Sequence, residues 1–314
     1  MSTEILCLGN VVVDAVGVHV DDWPKEGSLL LFDRVELHIG GCAANTALGL
    51  AKMGLRAGLA AKIGNDGLGE FVRSVMKSHG VATQQLVVSK DKRDSTSYSF
   101  IMVPKSGDRR IYHTLGANGT YGPADLAPNA FKGVKWLAVQ GLSLLPKLTG
   151  ADLAQVLKAA RKAGAKTAGD TALNNRLADW GPLFKGCYEH FDVFFPSEEE
   201  AHRIAGNRPA KDICKYFRDQ GVRIAGVKLG SKGCALMTDD GYEEIPIYKV
   251  KAIDTLGAGD SFMAGLLAGL LLGKNSFEAA RLGNATAAHC VQAVGATTGI
   301  PKLSKILALA KKRA

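Results

Sequence analysis

Asp254, Gly257, Gly259 and Asp260 crowd the mouth of an apolar segment, "DTLGAGDSFMAGLLAGLL", at residues 254–271. A glycine turn that opens a helix gathers backbone N–H groups and the positive end of the helix at one point, which makes an anion site. A carboxylate beside such a site can take the proton of an attacking group while charge develops on the anion. The alternative is purely architectural: a strand ends, glycines turn the chain, and Asp260 caps the helix. Residue type and spacing leave both open.

Other anion-handling patterns fail. The P-loop sequence G-x-x-x-x-G-K-[ST] is absent, and "GAGDSF" breaks G-x-G-x-x-G because position 262 is Phe. There is no G-x-S-x-G elbow and no H-E-x-x-H zinc motif. Cys7, Cys42, Cys187, Cys214, Cys234 and Cys290 are scattered without a C-x-x-C pair. Reduced, partly buried thiols are therefore expected, not disulfides or zinc ligands.

The elements that would position this loop alternate along the chain. "EILCLGNVVVDAVG" reads as one strand buried on both faces, and "CAANTALGLAKMG" as a helix stopped by Gly54. "RAGLAAKIG" is a strand and "DGLGEFVRSVMKSHG" a helix ending at Gly80. "GVKWLAVQG", "ADLAQVLKAARKAGAKTAGD", "FDVFFPS", "EEEAHRIAG" and "IAGVKLGSKG" continue the pattern. It predicts an α/β fold with a doubly wound, mostly parallel sheet flanked by helices, whose ligands lie beyond the C-terminal strand ends. Two stretches, 16–38 and 95–113, carry β-type runs with turns at 23–24 and 104–107, and neither leads into a crossover helix. They are expected to pair as a small antiparallel β-sheet lid on a single domain spanning 1–314.

With 314 residues, 46% hydrophobic and 22% charged, the chain is globular and long enough for a sizeable core. "MSTE" runs straight into the first strand, without a basic targeting region, and the most apolar run, 262–272, is too short to span a bilayer. A soluble, cytoplasmic protein is the expectation. The net charge of +9 suits an anionic ligand. Basic residues are nevertheless spread out, apart from the tail "KKRA", and no aromatic–basic interleaving marks a nucleic-acid platform.

"DTLGAGD" before its apolar helix, together with "GGCAANTALGLAKMG" at 40–54, resembles the two signatures of the ribokinase-like (PfkB) carbohydrate kinase family. The resemblance runs the length of the chain in order: "GNVVVD", GG-x-x-x-N, "IGNDGLGE", "GAN", P-[NS]-E-x-E, "LGSKG" and "GAGD". It implies an ATP-dependent kinase of a small sugar. Asp260 becomes the general base, with the amides of Gly257, Ala258 and Gly259 as an anion hole. Asp14, Gly40, Gly41 and Asn45 become sugar-contacting positions, joined by Asn118 and Gln140. Lys228, Gly230, Gly233 and Asn284 fall on the nucleotide side. Glu200 would organise water around Mg²⁺, and Asp254 matches a monovalent-cation position that would take K⁺. Ser197 stands where the family usually has Asn. His38 and His113 are expected on the lid surface, outside the catalytic machinery.

Two further expectations follow. The helix start should lower the pKa of Asp260 and keep it ionised at neutral pH. The apolar lid residues Leu29, Leu31, Val35, Phe100 and Ile101 should pair two chains as a homodimer, as many family members do through this lid. A nucleoside kinase shares nearly all these signatures. A non-catalytic sugar or nucleotide sensor would have no use for Asp260, and only Ser197 favours it.

Overall fold

The first apolar run divides between two sheets. Ile5–Gly9 forms strand β1 and Val12–Val18 forms β2, where the sequence suggested one strand. Packing makes the break. A Cβ on Gly9 would lie 2.1 Å from the Gln140 carbonyl oxygen. Asn10 then turns inward, and its Oδ1 accepts the Cys42 N–H at 2.9 Å. Asn118 clamps Val11 by both backbone groups, at 3.3 and 2.9 Å. The computed structural model describes residues 3–22, 24–105 and 110–312. Trp23, Ser106 and Gly107 of the expected turns lie outside these, as do Arg313 and Ala314 of the basic tail.

From β2 the chain returns as β3 (Arg34–Gly40) and runs directly into α1 (Cys42–Met53), so a helix does follow this stretch. Gly54 ends α1 in the left-handed conformation, φ 92°, which its lack of a Cβ permits. There follow β4 (Ala57–Ile63), α2 (Gly67–Ser78) and β5 (Ala82–Val88). Asp66 starts α2 by accepting the Gly69 N–H at 2.8 Å. The chain then adds β6 (Tyr98–Val103), β7 (Arg110–Thr114), β8 (Trp136–Gln140), α3 (Gly150–Lys162), β9 (Lys166–Gly169) and α4 (Gly181–Phe184). Next come β10 (Val193–Phe194), α5 (Glu198–Ala205), α6 (Ala210–Asp219) and β11 (Ile224–Lys228). The last elements are the hairpin β12 (Cys234–Thr238) and β13 (Gly241–Ile245), then α7 (Ala258–Leu271), α8 (Ser276–Cys290) and α9 (Leu303–Ala310).

The large sheet has the order β13-β12-β11-β10-β9-β8-β1-β4-β5 among the described residues. It is parallel from β11 to β5, and only the β12–β13 edge runs antiparallel. Alternation along β1 serves two cores. Ile5 and Cys7 face the layer of α1, α2, α7 and α8, while Leu6 and Leu8 face that of α3 and α6. That is the doubly wound α/β architecture expected, and it explains why β1 is apolar at every position.

The second sheet has the order β3-β2-β6-β7. It is mixed, not antiparallel as expected, because its central pair β2–β6 runs parallel. It starts at Val12, before the expected boundary, and residues 28–33 belong to no strand. Leu29 and Leu31, which join no strand, are 81% and 84% exposed, and Val35, Leu37 and Tyr112 lie exposed on one face of the sheet while Ile111 is exposed on the other. Phe100 is half-buried and Ile101 buried. All six cysteines are free, and all but Cys42 are buried. Among the described residues no helix is long and apolar enough to cross a membrane.

Candidate active site

The C-terminal ends of β1, β8, β9, β10 and β11 open toward the first turn of α7. Gly257, not Asp260, is the N-cap residue of that helix. Its φ is 72°, and a Cβ there would lie 2.3 Å from the Ala296 carbonyl oxygen, so only glycine fits. Asp260 is the third helical residue and its carboxylate is free of capping duty. Of the expected anion hole, the Gly257 and Gly259 amides make no hydrogen bond among the described residues. The Ala258 amide is already engaged, donating to the Thr255 carbonyl at 3.2 Å.

Asp260 is held from α1. Asn45 Nδ2 donates to its Oδ2 at 2.8 Å, and Thr46 Oγ1 donates to its carbonyl at 3.1 Å. Gln140 Nε2 donates in turn to Thr46 Oγ1 at 2.8 Å. Burial pushes the Asp260 carboxyl up to about 6, against the lowering effects of Asn45, Lys228 and the Cys42 thiol. The expected lowering by the helix start is thus overturned: burial of the carboxyl, with the charge of Glu200 adding to it, outweighs a terminal dipole. A pKa near 6 still leaves the group largely ionised at neutral pH, in the range suited to a general base.

Of the expected sugar positions, Asp14 is buried on β2 beside Gly40, where a Cβ would lie 2.1 Å from its Oδ2. Burial raises its pKa, and the Ser99 hydroxyl and His38 counter it. Strand register places His38, Asp14, Ser99 and His113 in one row across the small sheet. His113 is exposed and His38 half-buried. Gly41 precedes α1 with φ 92°, and a Cβ there would lie 2.6 Å from the Asn10 carbonyl oxygen. Asn45 has its Nδ2 on Asp260, and its buried Oδ1 has no partner among the described residues. The Gln140 Oε1 is likewise buried and unpaired. Asn118 spends both amide atoms on Val11, so it supports the site from behind.

On the other side of the α7 turn, the expected nucleotide residues converge. Lys228, Gly230, Gly233 and Asn284 line one cavity of about 280 Å³, together with Gly259 and Phe262. Its walls are largely apolar, and its size lies near the lower end of ligand pockets, roughly 300–1,000 Å³. Asn284 Nδ2 donates to the carbonyls of Ile245 and Pro246 at 3.1 and 3.0 Å, so it fixes the wall more than it offers a free amide.

Glu200 is buried and shares a capping box with Ser197. Its Oε2 accepts the Ser197 N–H at 2.8 Å, and Ser197 Oγ accepts the Glu200 N–H at 3.4 Å. Asp254 Oδ1 accepts the Leu256 N–H at 3.0 Å and its Oδ2 the Gly295 N–H at 2.9 Å, tying the glycine loop to the segment after α8. Sequence reasoning missed Asp170 and Asn10. Both sit just past strand ends, and neither has a spacing partner that would mark it. Asp170 is 1% exposed and pairs with Lys228 at 2.5 Å. Burial carries its carboxyl up to about 7 despite that ammonium, with Glu200 and Asp260 adding to the rise.

A fold of this topology, with a carboxylate on a glycine-opened helix beside a largely apolar cavity, is that of the ribokinase-type sugar kinases. The chain belongs to the pfkB family of carbohydrate kinases, whose model matches residues 2–303. It is 29% identical over 281 residues to a 2-dehydro-3-deoxygluconokinase from Bacillus subtilis, covering 85% of each chain. It is 28% identical over 316 residues to a ribokinase from Haemophilus influenzae, covering 98% of each. The crystal structure of the Thermotoga maritima ribokinase superposes with a TM-score of 0.82 at 26% identity, over 99% of this chain and all of that one.

Proposed function

We propose that this carbohydrate kinase transfers the γ-phosphoryl group of ATP to a hydroxyl of a small free sugar. The observation that carries the reading is the hydrogen bond from Asn45 to Asp260. It ties the base to α1, whose start adjoins Gly40, Gly41 and Asp14, while the residue before the base, Gly259, lines the cavity. Sugar and nucleotide would meet at one carboxylate. Asp260 accepts the hydroxyl proton, and the Gly257 and Gly259 amides receive charge developing on the phosphoryl oxygens. The Ala258 amide joins them only by leaving the Thr255 carbonyl. Phosphoryl transfer has a loose transition state, so positioning carries most of the rate.

The residues present fit a hydrated Mg²⁺. The carboxylates of Asp170, Glu200 and Asp260 surround a single ammonium. Among the described residues no group of three or more His, Cys, Asp or Glu forms a cage, as befits an ion that binds phosphates and keeps its waters. Glu200, with one oxygen on Ser197, is the residue that would hold those waters. The ion supplies charge neutralisation across the phosphates when bound. The Asp254 loop is the place for K⁺, tested by turnover in potassium against tetramethylammonium salts.

The small sheet acts as a lid over the sugar, and its open apolar surface pairs with that of a second copy. Coupled ADP release over a panel of sugars, sugar acids and nucleosides tests the reading. Turnover on at least one sugar or sugar acid is expected. Turnover on nucleosides alone would transfer the site to the nucleoside kinases, and none at all would favour a binding protein.

A further inference from the structure

Asp170 and Lys228 lie at the ends of β9 and β11, on either side of β10, and join across its end. Both are buried, with side chains 1% and 13% exposed. Asp170 uses both oxygens: Oδ2 accepts from Lys228 Nζ at 2.5 Å and Oδ1 from the Thr171 N–H at 2.8 Å. Lys228 Nζ in turn stands 3.4 Å from the position a Cβ on Gly259 would occupy. The ammonium is therefore fixed over the first turn of α7, beside the amides that face an incoming phosphate. Burial would lower the Lys228 pKa, but Asp170, Glu200 and Asp260 together hold it above its usual value. Cys42, on α1, also faces this group of charges.

A lysine stem is flexible and its ammonium is strongly hydrated, so an unpinned Lys228 would swing to solvent. We infer that Asp170 is a positioning residue for phosphoryl transfer, holding the Lys228 ammonium where the γ-phosphoryl group crosses from nucleotide to sugar. The inference rests on the kinase reading above. In the step, the sugar oxygen bonds to the γ-phosphorus and the bond from that phosphorus to the β–γ bridging oxygen breaks. The electron pair leaves on ADP, and the hydroxyl proton goes to Asp260. Lys228 stays protonated, and Asp170 gives and takes no proton. Its Oδ2 is held on the ammonium and its Oδ1 on the Thr171 N–H, so the proton is assigned to Asp260 and not to Asp170.

The test is a double-mutant cycle on the full chain, with ATP and whichever panel sugar turns over fastest. Lys228→Met should lose about a hundredfold in kcat, the typical cost of one donor to developing charge, with the sugar KM within about threefold. Asp170→Asn should lose at least about tenfold in kcat. The double variant should be no slower than Lys228→Met, because a positioning residue has nothing to position once its partner is gone. Losses that multiply would overturn the inference, as would an Asp170→Asn effect confined to the sugar KM. Should Asp170→Asn misfold around its unpaired ammonium, the double variant, which buries neither charge, still decides by comparison with Lys228→Met. A parent protein without turnover on any sugar would instead overturn the kinase reading, and this inference with it.

Discussion

Replacing Asp260 with Asn should leave a nearly inactive protein that is more stable than its parent. The carboxyl is lifted from 3.8 to about 6, chiefly by burial. At about 1.36 kcal/mol per pH unit, the ionised form carries a penalty near 3 kcal/mol, reduced to about 1–3 kcal/mol because the group keeps some access to water. Asparagine keeps an oxygen for the Asn45 donor and has no charge to desolvate. Below pH 3.8 the group is protonated folded and unfolded, and the penalty vanishes. Between 3.8 and about 6 the unfolded chain gives up its proton while the folded one retains it, so the penalty grows, and above 6 it is constant. Unfolding entropy near 2.1 cal/mol/K per residue makes this gain roughly 2–4 °C in melting midpoint at pH 8, and about half that at pH 5. Turnover should fall about a hundredfold to ten-thousandfold, with nucleotide affinity nearly unchanged. Thermal melts of both proteins at pH 5 and pH 8 check it. A variant that melts at or below the parent at pH 8, or by the same margin at both pH values, would refute the burial argument. Turnover within threefold of the parent would remove Asp260 from the chemistry.

Asn45→Ala removes the donor that most opposes the rise in the Asp260 pKa, so the acid limb of the kcat profile should move from near pH 6 to higher pH; superimposable profiles would count against the contact. Saturating sugar should slow amide exchange at Phe100 and Leu31 as the lid closes and excludes water, and unchanged exchange in both segments would make the sheet a fixed projection. Sedimentation should show a dimer at micromolar concentration that Leu31→Asp dissociates, since Leu31 is 84% exposed on the apolar lid surface; a monomeric parent would refute the pairing.

The glycine turn of the candidate site was legible because its geometry is local: Gly257, Gly259 and Asp260 lie within a single turn, and α7 follows from the apolar run behind them. The residues that line the cavity were legible through their glycines, which the backbone requires at 233, where a Cβ would lie 2.0 Å from the Ile245 carbonyl oxygen. What escaped was set by contacts between distant segments. Nothing in "GNVVVD" says that Gly9 must press on Gln140 or that Asn118 will seize Val11, so one strand was expected where two exist. The pKa of Asp260 is likewise decided by its burial and by Asn45, Lys228 and Glu200, which come from distant parts of the chain. Asp170 acquires its meaning only beside Lys228, 58 positions further along the chain.

The clamp at Val11 separates a tightly held end of the small sheet from a loosely held one. Where the small sheet meets the body, Asn10, Val11 and Gly41 are locked against one another, with Gly41 four residues before the Asn45 that holds Asp260. Toward its far end, residues 28–33 join no strand and expose Leu29 and Leu31. If the small sheet is the proposed lid, substitutions at that far end would reshape what it accepts while leaving Asn45, Asp260 and the cavity in place. On that reading, one catalytic body would be refitted for new sugars by drift at its periphery while its chemistry stands still.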